Sequence, residues 1–431
     1  MLDLPSSTGK LDITGSRHED MRKILDSRVK EAFNQSDFAG ALEYIKVSDL
    51  DMLVEPSEIR LVALTLIAND HVVRGLDVLN KAGDRNPKLL AQSRNLAHLL
   101  GEPDSVIACC NKFAGMGQDD AKNAQFRWMS LVARGSLDEA EAFAHAEATK
   151  PDREYFKKFI WYHQQGDLLK KRCPSLHEAW MQCLFERQEE HVIDDECIGL
   201  DIDIIQYWSQ GMPPEDVQMV FNRLAYLVQS QNLGRQKLFD KASAREWIET
   251  HAQEYLACFD GAFHYAMESD IFRIAYASRL PVIYVDIDCW PLRQFARTIS
   301  HVVRSGSTLL YLRSYRPWVL NGFFVSFPHN PFIRLLHSQT AALDFSAMPK
   351  DNITIERTFG PTRFNNVLEE LLGGEAHPIS RPMHDVAGLS RLSRAGDDIY
   401  FASESACLSV RPPFPLGYKA TESNWKTTKV V

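Results

Sequence analysis

The chain has 431 residues, 45% of them hydrophobic and 24% charged, with a formal net charge of −9. That length allows two or three domains, and the acidic balance argues against a protein whose main task is to coat nucleic acid or an anionic membrane. No run of about 18 apolar residues reads as a membrane span. The opening MLDLPSSTGKLDITGSRHEDM lacks the apolar centre of a signal peptide, so a cytoplasmic location is expected. The eight cysteines are scattered without a CxxC pair, which fits reduced, mostly buried thiols better than a structural zinc site.

Residues 1–19 read as a flexible tail. From 20 to 185 apolar residues recur at helical spacing, as in ALEYIKV (41–47) and IRLVALTLIAND (59–70). Turn-then-helix pairs recur at Ser36/Ala41, Asp70/Gly75, Gly101/Val106, Gly135/Ala140 and Gly166/Lys171, in steps of 34, 31, 34 and 31 residues. That is the length of a helix–turn–helix unit. A small residue such as Ala41, Gly75 or Ala140 lets paired helices approach closely, whereas Val106 and Lys171 break that rule. The spacing resembles degenerate tetratricopeptide repeats, and an irregular helical bundle is the competing reading. Stacks of this kind offer a concave surface to a partner protein. The acidic stretch 186–201 reads as a solvated connector, with its single His191 exposed to water.

Beyond it, strand and helix patterns alternate, which implies an α/β domain over 202–427 with a largely parallel sheet. DIIQYWSQG (203–211) is a strand with a Gly turn, and Pro213-Pro214-Glu215-Asp216 starts a helix. KLFDKASAREWIETHAQEYLACF (237–259) is a strand end and a helix, and HYAMESDIFRIAYAS (264–278) is a further helix. VIYVDID (282–288) is a buried strand ending in Asp286 and Asp288. Residues i and i+2 of a strand share a face, so the two carboxylates converge. Their repulsion points to a cation beside them, because hard metals favour carboxylate oxygens. A nucleophile-and-acid pair and a plain strand end meeting solvent remain alternatives. In parallel sheets ligands sit at the carboxyl ends of strands, where these aspartates fall.

The order of several pieces resembles the DXD-containing sugar-transferase family, relatives of the initiating mannosyltransferases and of the clostridial glucosylating toxins. The pieces are Ile205-Gln206-Tyr207-Trp208, the tract LFDKASAREWIE, Ser269-Asp270-Ile271-Phe272-Arg273 and Tyr284-Val285-Asp286-Ile287-Asp288. Asn321-Gly322-Phe323-Phe324 with His329-Asn330-Pro331-Phe332 follows, then ERTFGPTRF (356–364) and Glu422-Ser423-Asn424-Trp425. The likeness covers about half the chain. Leu280-Pro281 stands where the family has Gly-Gly, and Gln206 where it has His.

The resemblance implies a GT-A-like, Rossmann-type nucleotide-sugar-binding domain preceded by the helical domain. It implies a retaining, metal-dependent hexosyltransferase that uses a nucleotide-sugar donor, UDP-sugar by likeness to the toxins, and Mn²⁺ or Mg²⁺. The acceptor would be a glycan, a protein or a lipid-linked saccharide. Asp288 would bind the metal directly, with Asp286 on sugar or ribose hydroxyls and metal-bound water, and with Ser423 as a further oxygen. Asp270 and Arg273 would hold donor sugar hydroxyls, though without the resemblance their spacing reads as a surface ion pair. Trp208 would stack on the base, Tyr284 would bond the ribose or a phosphate, Asn321 would line the donor site and Trp425 would cover the diphosphate. Front-face displacement, with the leaving phosphate assisting the acceptor hydroxyl, is the implied route. Two other classes compete: a haloacid-dehalogenase-type phosphatase with Asp286 as nucleophile, and a non-catalytic adaptor built on the helical repeats.

Overall fold

The structure is a computed structural model. It describes residues 28–34, 37–45, 53, 55–69, 71–184, 200–292, 294–313, 315–341, 343–344, 348–373, 377, 379–380, 389–394, 397–404, 406–414 and 416–420. The tail, nearly all of the acidic connector, the turn positions Ser36 and Asp70, and Ser423 and Trp425 lie outside the described residues.

The chain divides into two compact units, 1–93 and 94–431. The first unit holds the short helices α1 (Lys30–Asn34) and α2 (Phe38–Glu43), then α3 (Pro56–Ala68), α4 (Val72–Gly83) and the first half of α5 (Pro87–Leu99). Its small core joins Val29, Ala41, Ile45, Val62 and Leu66. Gly75 of α4 lies against α3, and a Cβ there would sit 2.7 Å from the Ala63 carbonyl oxygen. The close helix approach read from the sequence is therefore present at this position.

The second unit opens with helices α6 (Pro103–Gly115), α7 (Ala121–Ala133), α8 (Leu137–Ala148), α9 (Phe156–Arg172) and α10 (Pro174–Leu184). Gly101 and Gly135, both at positive φ, separate helices as their turn positions require. Gly166 does not. It lies inside the 17-residue α9, so the last step of the spacing does not mark a turn. Helical apolar spacing on both sides outweighs the cost of about 1 kcal/mol for an interior glycine.

The α/β part runs β1 (Asp203–Tyr207), α11 (Glu215–Ser230), β2 (Arg235–Phe239), α12 (Lys241–His251), α13 (Leu256–Asp260), α14 (Tyr265–Ala277) and β3 (Val282–Val285). It continues through β4 (Trp290–Pro291), α15 (Phe295–Arg304), β5 (Thr308–Leu312), β6 (Val319–Ser326), α16 (Pro331–Thr340), α17 (Asn352–Thr358) and α18 (Pro361–Leu372). The last strands are β7 (Ile379–Ser380), β8 (Leu389–Arg394), β9 (Asp397–Ser403) and β10 (Leu408–Ser409). The main sheet has the order β2-β1-β3-β6-β5-β9-β8-β7, and β4 pairs separately with β10. β1 lies parallel to β2 and β3, and β5 parallel to β9. β6 runs antiparallel to both β3 and β5. The carboxyl ends of β1, β3, β5 and β9 thus meet at one edge of the sheet, where β6 begins.

Local sequence explains these elements. β3 and β5 are buried at every position, as near-continuous apolar runs demand, and so is β1, although it carries Asp203 and Gln206. Asp240 caps α12 by accepting from the Ser243 amide at 2.8 Å, and Ser243 Oγ accepts from the Asp240 amide at 3.0 Å. Pro331 and Pro361 open α16 and α18, where a missing N–H is harmless. One hydrophobic cluster runs from Trp128, Phe159 and Trp180 through Tyr207, Phe272 and Tyr284 to Leu392 and Phe401. Helices α7 to α10 therefore share a core with the sheet. The described cysteines, seven in number, are buried and none is in a disulfide. Among the described residues, no helix is long and apolar enough to cross a membrane.

Candidate functional site

A cavity of about 380 Å³ opens along the sheet edge. Trp208 after β1, Asp270 and Arg273 of α14, Asp286 and Asp288 after β3, and Asn321 of β6 all line it. Tyr284 is not on its wall. It lies buried behind Asp286.

The centre is a buried polar network. Arg273 places Nη2 3.0 Å from Asp286 Oδ1, 3.2 Å from Asp270 Oδ1 and 3.0 Å from Ser269 Oγ. Its Nη1 donates to the Asn321 carbonyl, and the guanidinium carbon stands 4.0 Å from the Tyr284 ring centroid. Asn321 Nδ2 donates to Asp270 Oδ1 at 2.8 Å. Tyr284 donates its hydroxyl hydrogen to Asp286 Oδ1 at 2.7 Å and lies 2.9 Å from Ser269 Oγ. The Asp270–Arg273 pair is thus not a surface pair, since both side chains are less than one-tenth exposed. Breaking such a pair from one side leaves an uncompensated buried charge.

Burial pushes the Asp270 carboxyl up to about 6, partly offset by Arg273 and reinforced by Asp286. Burial also raises Asp286, with Arg273 pulling it down and Asp288 pushing it further up. Burial alone would lower Arg273, but Tyr284, Asp286 and Asp270 outweigh it and hold the guanidinium charged.

Asp288 meets other partners. Its Oδ2 accepts from the Tyr418 hydroxyl at 2.7 Å and pairs with Lys419 Nζ, both from the short turn Gly417–Ala420. Its Oδ1 has no hydrogen-bond or ion-pair partner among the described residues. Tyr418 also packs edge-on to Trp208, with ring centroids 5.3 Å apart.

No family model, no curated protein and no solved structure matches this chain.

Several residues of the site were not legible in sequence. Glu268 Oε2 accepts from both Tyr207 Oη and Ser209 Oγ at 2.7 Å, so one carboxylate grips both neighbours of Trp208. Lys241 Nζ holds the other oxygen at 2.5 Å. Gly322 faces Asp286, and a Cβ there would lie 2.4 Å from Oδ2. Only the glycine beside Asn321 in the sequence hinted at such an approach. Tyr418 and Lys419 carried no signal at all.

Proposed function

We propose that this protein is a metal-dependent retaining glycosyltransferase with a GT-A-like catalytic domain, moving a hexose from a nucleotide sugar, with UDP favoured, to a glycan, protein or lipid-linked acceptor. The observation that carries this reading is the convergence of Trp208, Asp270, Arg273, Asp286, Asp288 and Asn321 on one cavity at the sheet edge.

The donor set suits a hard divalent cation. Asp270, Asp286 and Asp288 bring three negative charges against the two positive charges of Arg273 and Lys419, and among the described residues nothing bonds Asp288 Oδ1. Among the described residues no three His, Cys, Asp or Glu side chains form a cage by themselves. That suits Mg²⁺ or Mn²⁺, which keeps waters and takes substrate phosphate oxygens beside one or two carboxylates. Asp288, with Asp286 beside it, would hold the ion, and the bound ion would neutralise charge growing on a diphosphate leaving group. Asp270, Arg273 and Asn321 offer a fixed row of donors and acceptors to sugar hydroxyls. Their preorganisation is what lets such contacts favour the transition state. Trp208 presents an apolar face for a base.

The test is thermal shift with Mn²⁺ and a panel of UDP- and GDP-sugars, beside Asp288→Asn. A donor at 100 times its dissociation constant adds about 2.7 kcal/mol to stability. The expected result is a metal-dependent rise with one nucleotide family that the variant loses. A trapped aspartyl-phosphate on Asp286, with no shift from any nucleotide sugar, would replace this reading with a phosphatase.

A further inference from the structure

At the sheet edge, β1 and β5 are separated by β3 and β6, so Trp208 and the turn after β5 stand about 14 Å apart at ordinary strand spacing. That turn carries Arg313, Arg316 and Trp318, and all three line the cavity. The site described above uses none of them. Arg313, directly after β5, lies two strands from β3, about 10 Å to the side of the Asp286 end by the same spacing.

Arg316 lies over two aromatic rings, its guanidinium carbon 4.8 Å from the Trp318 ring centroid and 5.3 Å from that of Tyr162. Among the described residues no carboxylate lies within 4.0 Å of it, and its buried Nε has no hydrogen-bond partner. Arg313 spends Nη1 on the Tyr315 hydroxyl at 2.7 Å, while its own buried Nε is likewise without a partner. Two half-buried guanidinium groups side by side repel each other. Burial and Arg313 both push the Arg316 guanidinium down. Tyr315, Tyr162 and Glu356 oppose this at Arg316, whereas Arg313 is itself held charged, because Glu404 and Tyr315 outweigh its burial.

Arg316, buried beside a second guanidinium with its Nε unpaired among the described residues, recovers energy when an anion arrives. A guanidinium packed on aromatic rings keeps its N–H edge, the fork that matches carboxylate and phosphate. We infer that Arg316 and Arg313 form a subsite for the carboxylate or phosphate of an acidic saccharide, with Trp318 as the platform for a sugar ring. Naming that saccharide the acceptor rests on the transferase reading, but binding of the anion does not.

Titration calorimetry on the full chain tests this without donor present. The probes are methyl glucuronide, a hexose phosphate monoester, neutral methyl glucoside and inorganic phosphate. One acidic saccharide should bind and the neutral glucoside should not. The stronger of the two acidic arms identifies carboxylate or phosphate as the group, and inorganic phosphate should bind more weakly than either saccharide. Arg316→Gln should weaken that binding roughly tenfold. Arg316→Lys, which keeps the charge and loses the fork, should fall between, and it carries the test if the glutamine variant melts abnormally. UDP binding with Mn²⁺ should be the same in all three proteins. Equal binding of acidic and neutral saccharides, or no effect of either variant, overturns the inference. So does a loss of UDP affinity matching the loss for the saccharide, because the arginines would then serve the donor. If Asp288→Asn leaves UDP binding intact, the transferase reading fails while the anion result stands by itself.

Discussion

The hydroxyl of Tyr418 donates to Asp288 Oδ2 at 2.7 Å across 130 residues of sequence. The same turn sets Lys419 on that carboxylate and Tyr418 against Trp208. The second aspartate of the pair is thus already partly neutralised by the chain itself.

In the metal site proposed above, Lys419 and a divalent cation would compete for the Asp288 carboxylate. Lys419→Gln should therefore tighten Mn²⁺ binding, read by titration with the metal alone. Unchanged or weaker affinity would mean that the ammonium does not oppose the metal.

Arg273 balances Asp270 and Asp286 in a buried place. Arg273→Ala should cost about 3–5 kcal/mol, because it leaves both carboxylates without their cation. Chemical denaturation gives the value directly, and a loss below about 1 kcal/mol would show that the network is wet and loosely held.

The Asp270 carboxyl, ordinarily at 3.8, stands at about 6 in the folded chain. A raised acid binds its proton more tightly when folded. Its contribution to stability is full below the unfolded value and is lost as pH climbs through about 6. Asp270→Asn removes that titration. The melting temperature of the variant should gain on the wild type between pH 4 and pH 7 (about the window set by those two values). A gap that stays constant or moves the other way contradicts the assigned burial.

Gly322→Ala forces a methyl group onto Asp286 Oδ2. Overpacking costs about 1–3 kcal/mol, and the displaced carboxylate should lose Mn²⁺-dependent donor binding. A variant that binds donor normally would show that Asp286 has room to move.

Glu268 touches no cavity space and acts through Trp208. Glu268→Gln keeps an acceptor but loses the charge that holds Lys241 and the two hydroxyls. Donor KM should rise roughly tenfold with kcat nearly unchanged. A fall in kcat alone would assign Glu268 a different role.

Much of the architecture followed from local chemistry. β3 was legible because Val282, Ile283 and Val285 are β-branched and flank Tyr284. The period of two puts Tyr284 on the face of Asp286, and the structure shows its hydroxyl bonded to that carboxylate rather than lining the cavity. Capping by Asp240 and the prolines at 331 and 361 fixed helix starts in the same way. Gly166 misled because a glycine inside a helix looks like a turn when spacing alone is read. The contacts of Gly322 with Asp286, Lys419 with Asp288 and Arg316 with Tyr162 were hidden because each joins elements distant in sequence. Local pattern carries no record of such meetings.

Trp180 Nε1 donates to the Arg313 carbonyl at 3.0 Å, and Ser390 Oγ donates to the Ala179 carbonyl at 3.0 Å. Cys183 lies 3.2 Å from the same Ser390 hydroxyl. The change from helices to alternating elements near residue 202 is therefore not a seam in the packing. A fragment cut at that point would strip α10 from β8 and β9 and bare an apolar strip of sheet. It would also free the backbone of the turn that aims Arg313 and Arg316. Dissection of this protein should instead keep everything from Arg94 onward in one piece, treating the later helices as part of the body that carries the sheet.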